Sequence, residues 1–159
     1  MWCANRWLHA RVRFPIGAPG NIKRVPATSW TVPACALNIS ELRHSVVEFA
    51  RANGVPEQRL NDVALAVSEA VANAVMHAFR GIGDHGTLMV EAAVNEQEWL
   101  DVHVTDDGSG MAPRNDSPGL GLGLPLIRHL ADEFDHRRPP GGIGTELWMR
   151  FRFTAPEGQ

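Results

Sequence analysis

Two rhythms of apolar and polar positions divide this chain into helices and strands. From Ser29 the segment SWTVPA predicts a short strand, and the following ISELRHSVVEFARANG sets Leu42, Val46, Phe49 and Ala50 at helical spacing before Gly54 closes the run. A second helical segment starts at Pro56, a residue suited to a first helical turn, and runs to Phe79, where Gly81 and Gly83 break the pattern. Period two then takes over, with Leu88, Val90, Ala92 and Val94 in one strand and Leu100, Val102 and Val104 in the next, joined by the turn NEQE. A loop rich in Gly, Pro, Asp and Ser extends from Asp107 to Gly123. After it, PLIRHLADEF predicts a helix with Leu126, Ile127, Leu130 and Phe134 inward. The last element, TELWMRFRF, alternates Leu147, Met149, Phe151 and Phe153 against Glu146, Trp148, Arg150 and Arg152.

This order, strand, two helices, two strands, glycine loop, helix, strand, predicts an α+β two-layer sandwich: a largely antiparallel sheet covered on one face by helices. At 159 residues and 44% hydrophobic content the chain suits one domain over 29–154, with a short tail at 155–159. Residues 1–28, with Trp2, Trp7, scattered arginines and the segment PIGAPGN, follow neither period and are expected to form an extension outside the fold. A net charge of −3 offers no broad basic surface for a phosphate backbone, so direct nucleic-acid binding is not expected. Cys3 and Cys35 lack metal-ligand spacing and suggest no disulfide framework. No uncharged apolar run approaches the roughly 20 residues of a membrane span, and the arginines near the N-terminus do not fit a signal peptide. A cytoplasmic protein without a membrane partner is the expectation.

Three segments carry candidate chemistry. The second helix is almost wholly apolar at its centre, VALAVSEAVANAVMHAF, yet holds Glu69, Asn73 and His77 at intervals of four. That spacing stacks a carboxylate, an amide and an imidazole on one stripe. A solvated face would explain the stripe on an arbitrary helix, but its neighbours here are Ala66, Ala70 and Ala74 rather than Lys, Glu or Arg. Asn and carboxylate oxygens suit magnesium, which takes few protein ligands alongside phosphates, and a carboxylate one turn away can deprotonate a hydroxyl. His77 can reach a phosphate site or cap the helix end, where an imidazolium is favoured. In VTDDGSG, the strand parity of Leu100, Val102 and Val104 turns Asp106 inward and Asp107 outward, so Asp106 is the better acceptor for an exocyclic amine such as adenine N6. A plain Asp-Gly turn is the alternative reading. In PGLGLGLPLIRHL, glycines lead into a helix whose free N–H groups suit phosphates, although the segment lacks both the P-loop ending and the strand a dinucleotide fingerprint needs.

Taken together, EAVAN on a helix, DDGSG after a strand, GLGLG before a helix and GGIGTELW opening the last strand resemble the N, G1, G2 and Gly-Thr boxes of the GHKL ATPases, the Bergerat fold. The resemblance implies ATP and Mg²⁺ as cofactors. It implies Asn73 as the magnesium ligand, Glu69 as general base and Asp106 on the adenine amine. Gly108 and Gly110 would then shape the base pocket, Gly121, Leu122 and Gly123 would meet the phosphates, and Thr145 would support Asp106. The compact layout, with EAVANAVMHAF and IRHLADEF and no room for a transducer domain or a dimerisation hairpin, is similar to the stand-alone anti-sigma-factor serine kinases. Membership of that family implies a homodimer that sequesters a sigma factor and phosphorylates a serine of a small anti-anti-sigma antagonist. An ATP-gated binding module without phosphoryl transfer, and an ATPase domain serving a separate sensor, are the alternatives; Glu69 favours transfer, since binding alone needs no base.

Overall fold

The computed structural model describes residues 26–78, 86–108, 123–138 and 144–153, with the side chains of His77 and Ala78 outside that set. Strand β1 (Ala27–Pro33) leads into helices α1 (Leu37–Ala52) and α2 (Glu57–Asn73), and α2 continues as a π turn over Ala74–Ala78. Strands β2 (Thr87–Val94) and β3 (Trp99–Asp106) follow, then helix α3 (Gly123–Leu130), strand β4 (Glu133–Arg137) and strand β5 (Thr145–Arg152). The sheet order is β1-β2-β3-β5-β4, with every neighbouring pair antiparallel. The fold is the α+β sandwich that the order of periods predicts.

Local chemistry sets the element boundaries. The Asn38 side chain donates to the Pro33 carbonyl at 2.7 Å and so ties the start of α1 to the end of β1. Gly54, at φ +89°, ends α1 in the left-handed region that other residues enter only at a cost of about 1–2 kcal/mol. Pro56 is extended, with ψ 152°, and its carbonyl accepts the first bonds of α2 from Arg59 and Leu60.

The register stacks the apolar positions into columns across the sheet: Val90, Val104 and Leu147 in one, Ala92, Val102 and Met149 in the next. Against these columns pack Leu42 and Val46 of α1, Val63, Ala66 and Val67 of α2, and Ile127 of α3, all fully buried. Burial of each larger apolar side chain contributes about 1.5–3 kcal/mol, so the sheet-facing stripes hold the two layers together. Ala66, Ala70 and Ala74, which flank the polar stripe of α2, are buried in this core, and their small size lets the helix lie close to the sheet.

Three elements differ from the sequence reading. The helix expected over 125–134 ends at Leu130, and Glu133–Arg137 becomes an edge strand that pairs with β5, Phe134 opposite Met149. Phe134 is inward under either period, which is why spacing alone assigned it to the helix; the backbone bond from Asp132 to the Arg150 carbonyl, 3.0 Å, starts the strand instead. Second, α2 changes from α to π hydrogen bonding directly after Asn73, so the four-residue stripe keeps its register only for Glu69 and Asn73. Third, β1 already begins at Ala27, where the sequence reading still has the extension.

Candidate functional site

The structure brings candidate residues from the sequence together in two groups. The first lies between α2 and α3. Glu69 and Asn73 are one helical turn apart on α2, and Gly123 opens α3 directly against them. A Cβ on Gly123 would fall 2.8 Å from Asn73 Nδ2, 3.1 Å from its Oδ1 and 3.2 Å from Glu69 Oε2, so glycine lets the helix start in contact with the amide and the carboxylate. Asn73 is buried, and its Nδ2 has no hydrogen-bond partner among the described residues. An unsatisfied buried amide costs about 1–3 kcal/mol, which a ligand that reaches it would relieve. The first N–H groups of a helix have no partner within the helix, and α3 begins at this place with Gly123, so an anion is favoured there.

The second group lies at the C-terminal end of β3. Asp106 is 3% exposed, as its parity predicts, while Asp107 points outward. The Gly108 amide donates to Asp106 Oδ1 at 2.9 Å, and Thr145, its cross-strand partner in β5, donates to the same carboxyl through both its backbone and its hydroxyl. Burial pushes the Asp106 carboxyl above its ordinary range, the nearby Asp107 adds to that, and the bonds from Gly108 and Thr145 oppose it. Asp107 accepts from the Thr87 amide at 2.7 Å and thereby pins the end of the β2–β3 ladder that aims Asp106.

Gly144 belongs to this second group and was not singled out from the sequence. It holds φ +83°, and a Cβ there would lie 1.8 Å from the Asp106 carbonyl oxygen. The signal that points to it is the glycine run GGIG immediately before Thr145. Of the sequence-derived candidates, Glu69, Asn73 and Gly123 are thus brought together, as are Asp106, Gly108 and Thr145. The π turn after Asn73 packs against β3, the strand that carries Asp106, and so links the two groups. Gly110, Gly121, Leu122 and the side chain of His77 lie outside the described residues. Among the described residues no cluster of three or more His, Cys, Asp or Glu side chains is arranged to hold a metal.

Residues 32–151 match the family model of the histidine kinase-like ATPase domain. The chain belongs to this family. An ATPase domain of this kind implies ATP as the nucleotide used. Among its relatives, the anti-sigma F factor of Clostridium acetobutylicum is 30% identical over 131 residues, covering 76% of this chain and 89% of that protein. The serine-protein kinase RsbW of Listeria monocytogenes serotype 4a is 33% identical over 117 residues, covering 64% of this chain and 73% of its own length. In three dimensions the ATPase domain is similar to the crystal structure of the RsbU and RsbW domains of a Mycobacterium tuberculosis protein, with a TM-score of 0.65 at 22% identity. That likeness extends over 82% of this chain but 33% of the longer one and concerns the fold. No helix among the described residues is long and apolar enough to cross a membrane.

Proposed function

We propose that this chain is an ATP-dependent protein serine kinase that acts as an anti-sigma factor: it binds ATP with Mg²⁺, phosphorylates a serine of a small anti-anti-sigma antagonist and sequesters a sigma factor. The observation that carries the reading is the contact of Glu69 and Asn73 with the glycine that opens α3, beside the strand that ends in the buried Asp106. The names of the relatives supply the class of partner.

Bound ATP supplies the phosphoryl group to be transferred. Asp106 accepts a hydrogen bond from the adenine amine, and Gly108 and Thr145 hold the carboxylate in place for it. Asn73 would hold the magnesium ion through its amide oxygen, the ion would supply positive charge to the phosphates, and the N–H groups at the start of α3 would donate to them. Glu69, one turn before Asn73, takes the proton from the serine hydroxyl as its oxygen bonds to phosphorus. ADP leaves with the electrons of the broken P–O bond.

Transfer of radiolabel from ATP to an antagonist serine tests the reading. Glu69→Ala is expected to keep nucleotide affinity and slow transfer by roughly 10² to 10⁴, the usual contribution of general base catalysis. Asn73→Ala is expected to lower magnesium-dependent ATP binding and transfer together. A wild-type protein that binds ATP and antagonist yet moves no phosphate, or a Glu69→Ala variant of normal rate, would sink the kinase mechanism in favour of an ATP-gated binding module.

A further inference from the structure

Helix α3 presents Gly123 to Glu69 and Asn73, yet it is only eight residues long, about 12 Å, and Ile127 is its one fully buried residue. Its far end is tied to β5 by the backbone of Asp132 and to α2 by one arginine. Arg59 donates from Nε to the Arg152 carbonyl at 3.0 Å, from Nη1 to Asp62 at 2.7 Å and from Nη2 to Asp132, and its guanidinium lies 5.9 Å from the centre of the Phe151 ring. Asp132 sits two residues past the end of α3. It accepts from the Arg152 amide at 2.8 Å, and its own amide donates to the Arg150 carbonyl. One planar fork thus joins the first turn of α2, the exit of α3 and the end of β5.

We infer that the Arg59–Asp132 pair is a positioning clamp for the nucleotide site. α3 packs against α2, with Gly123 close to Asn73 and Glu69 where it starts and the clamp beyond its last turn. Releasing the clamp removes the side-chain tie between α2 and the exit of α3, while Asp132 stays bonded to β5; the angle between the two helices is then free to change about Ile127, which moves Gly123 relative to Asn73 and Glu69. Arg59 bonds to Asp62, Asp132 and the Arg152 carbonyl and acts through the angle between α2 and α3. Its part in nucleotide binding rests on the ATP reading above.

The test uses the full chain with Arg59→Ala, Arg59→Lys, Asp132→Asn and the Arg59→Ala/Asp132→Asn double variant. Two quantities are read at a temperature where each is folded by circular dichroism. These are amide exchange in α3 at residues 127–130, with β3 residues 102–104 as the internal reference, and affinity for magnesium ATP by calorimetry. The clamp predicts faster exchange in α3 with the β3 reference unchanged, and ATP affinity weakened by about 3- to 30-fold, the size of coupling carried through packed elements. Lysine, which keeps the charge but loses the fork, is expected to restore only part. The double variant is expected to be no weaker than the worse single, because both substitutions break one device. Unchanged α3 exchange, or faster exchange with ATP affinity within twofold of wild type, overturns the positioning role and leaves Arg59 a purely structural residue. If Arg59→Ala does not fold, the lysine and asparagine variants decide on the same readouts. A wild-type chain that binds no ATP overturns the ATP reading instead, and the exchange arm still decides whether the clamp holds α3.

Discussion

Asp106 combines two demands that pull its proton affinity in opposite directions. Burial raises its pKa, while the bonds from Gly108 and Thr145 favour the charged form that an adenine amine needs as its acceptor. The net direction is upward, so protonation sets in above the ordinary carboxylate range, and a protonated carboxyl is a poorer acceptor. ATP affinity is therefore expected to decline as pH falls through that raised range. In Asp106→Asn it should be weaker at neutral pH by about 1–3 kcal/mol and nearly flat over the same interval; calorimetric titration at several pH values reads both. Affinity in the variant equal to wild type would remove Asp106 from the base site. Gly144 makes a different prediction at the same scale. Alanine there must adopt φ +83° and place its Cβ against the Asp106 carbonyl, so the start of β5 has to move. A stability loss of at least about 2 kcal/mol in urea is expected, with ATP affinity reduced in the protein that remains folded. A Gly144→Ala variant as stable as wild type would mean that β5 tolerates the shift.

At the scale of elements, the sheet face away from the helices departs most from a simple polar exterior. Asp101 and Glu146 point to that face yet are 4% and 7% exposed. Asp101 accepts from Arg150 Nε at 2.7 Å and from the Trp148 indole at 3.0 Å, and the Arg150 guanidinium lies 4.9 Å from the Trp148 ring and 5.6 Å from the Trp99 ring. The Arg152 guanidinium also lies 5.5 Å from the centre of the Trp99 ring. Tryptophans and arginine stems thus cover the carboxylate while its hydrogen bonds satisfy it. Asp101→Ala is expected to cost about 1–3 kcal/mol in a urea titration, below the value for a fully enclosed pair because Arg150 retains Glu133 and partial solvent. A loss under 0.5 kcal/mol, roughly the size for an ordinary surface substitution, would show that solvent replaces the pair without strain. Glu146 is held by Arg137 at 2.9 Å and His103 at 2.7 Å; burial alone would raise its pKa, and these partners bring it below the usual value. Its stabilising contribution is thus complete above the unfolded carboxylate range and disappears as pH falls through the lower folded value.

For the whole molecule, the sandwich places helices on one face of the sheet and, among the described residues, no helix on the other. We propose a two-fold homodimer on the family resemblance alone, since the strand TELWMRFRF is paired on both sides, with β3 and β4, and offers no free edge. Light scattering at tens of micromolar protein, on the order used to detect weak dimers, is expected to report twice the mass of one chain, and a monomer at that concentration would count against the assembly.

The sequence by itself determined the α+β class, the inward turn of Asp106 and the pairing of Glu69 with Asn73, because each follows from a local period: two residues along a strand, four along a helix. The boxes that resemble the GHKL ATPases were legible for the same reason, as short runs whose residues act as neighbours. Tertiary structure decided what depends on partners distant in sequence. Phe134 fits both a helix and a strand, and only pairing with β5 makes 133–137 a strand. Gly144 looks like one glycine among several until the Asp106 backbone lies beside it. Arg59 reads as an ordinary exposed charge in a first helical turn, since Asp132 and the Arg152 carbonyl reach it only once α3 and β5 have folded onto α2. Periodicity reports which way a side chain points; what it meets there is set by the packing of elements far apart in the chain.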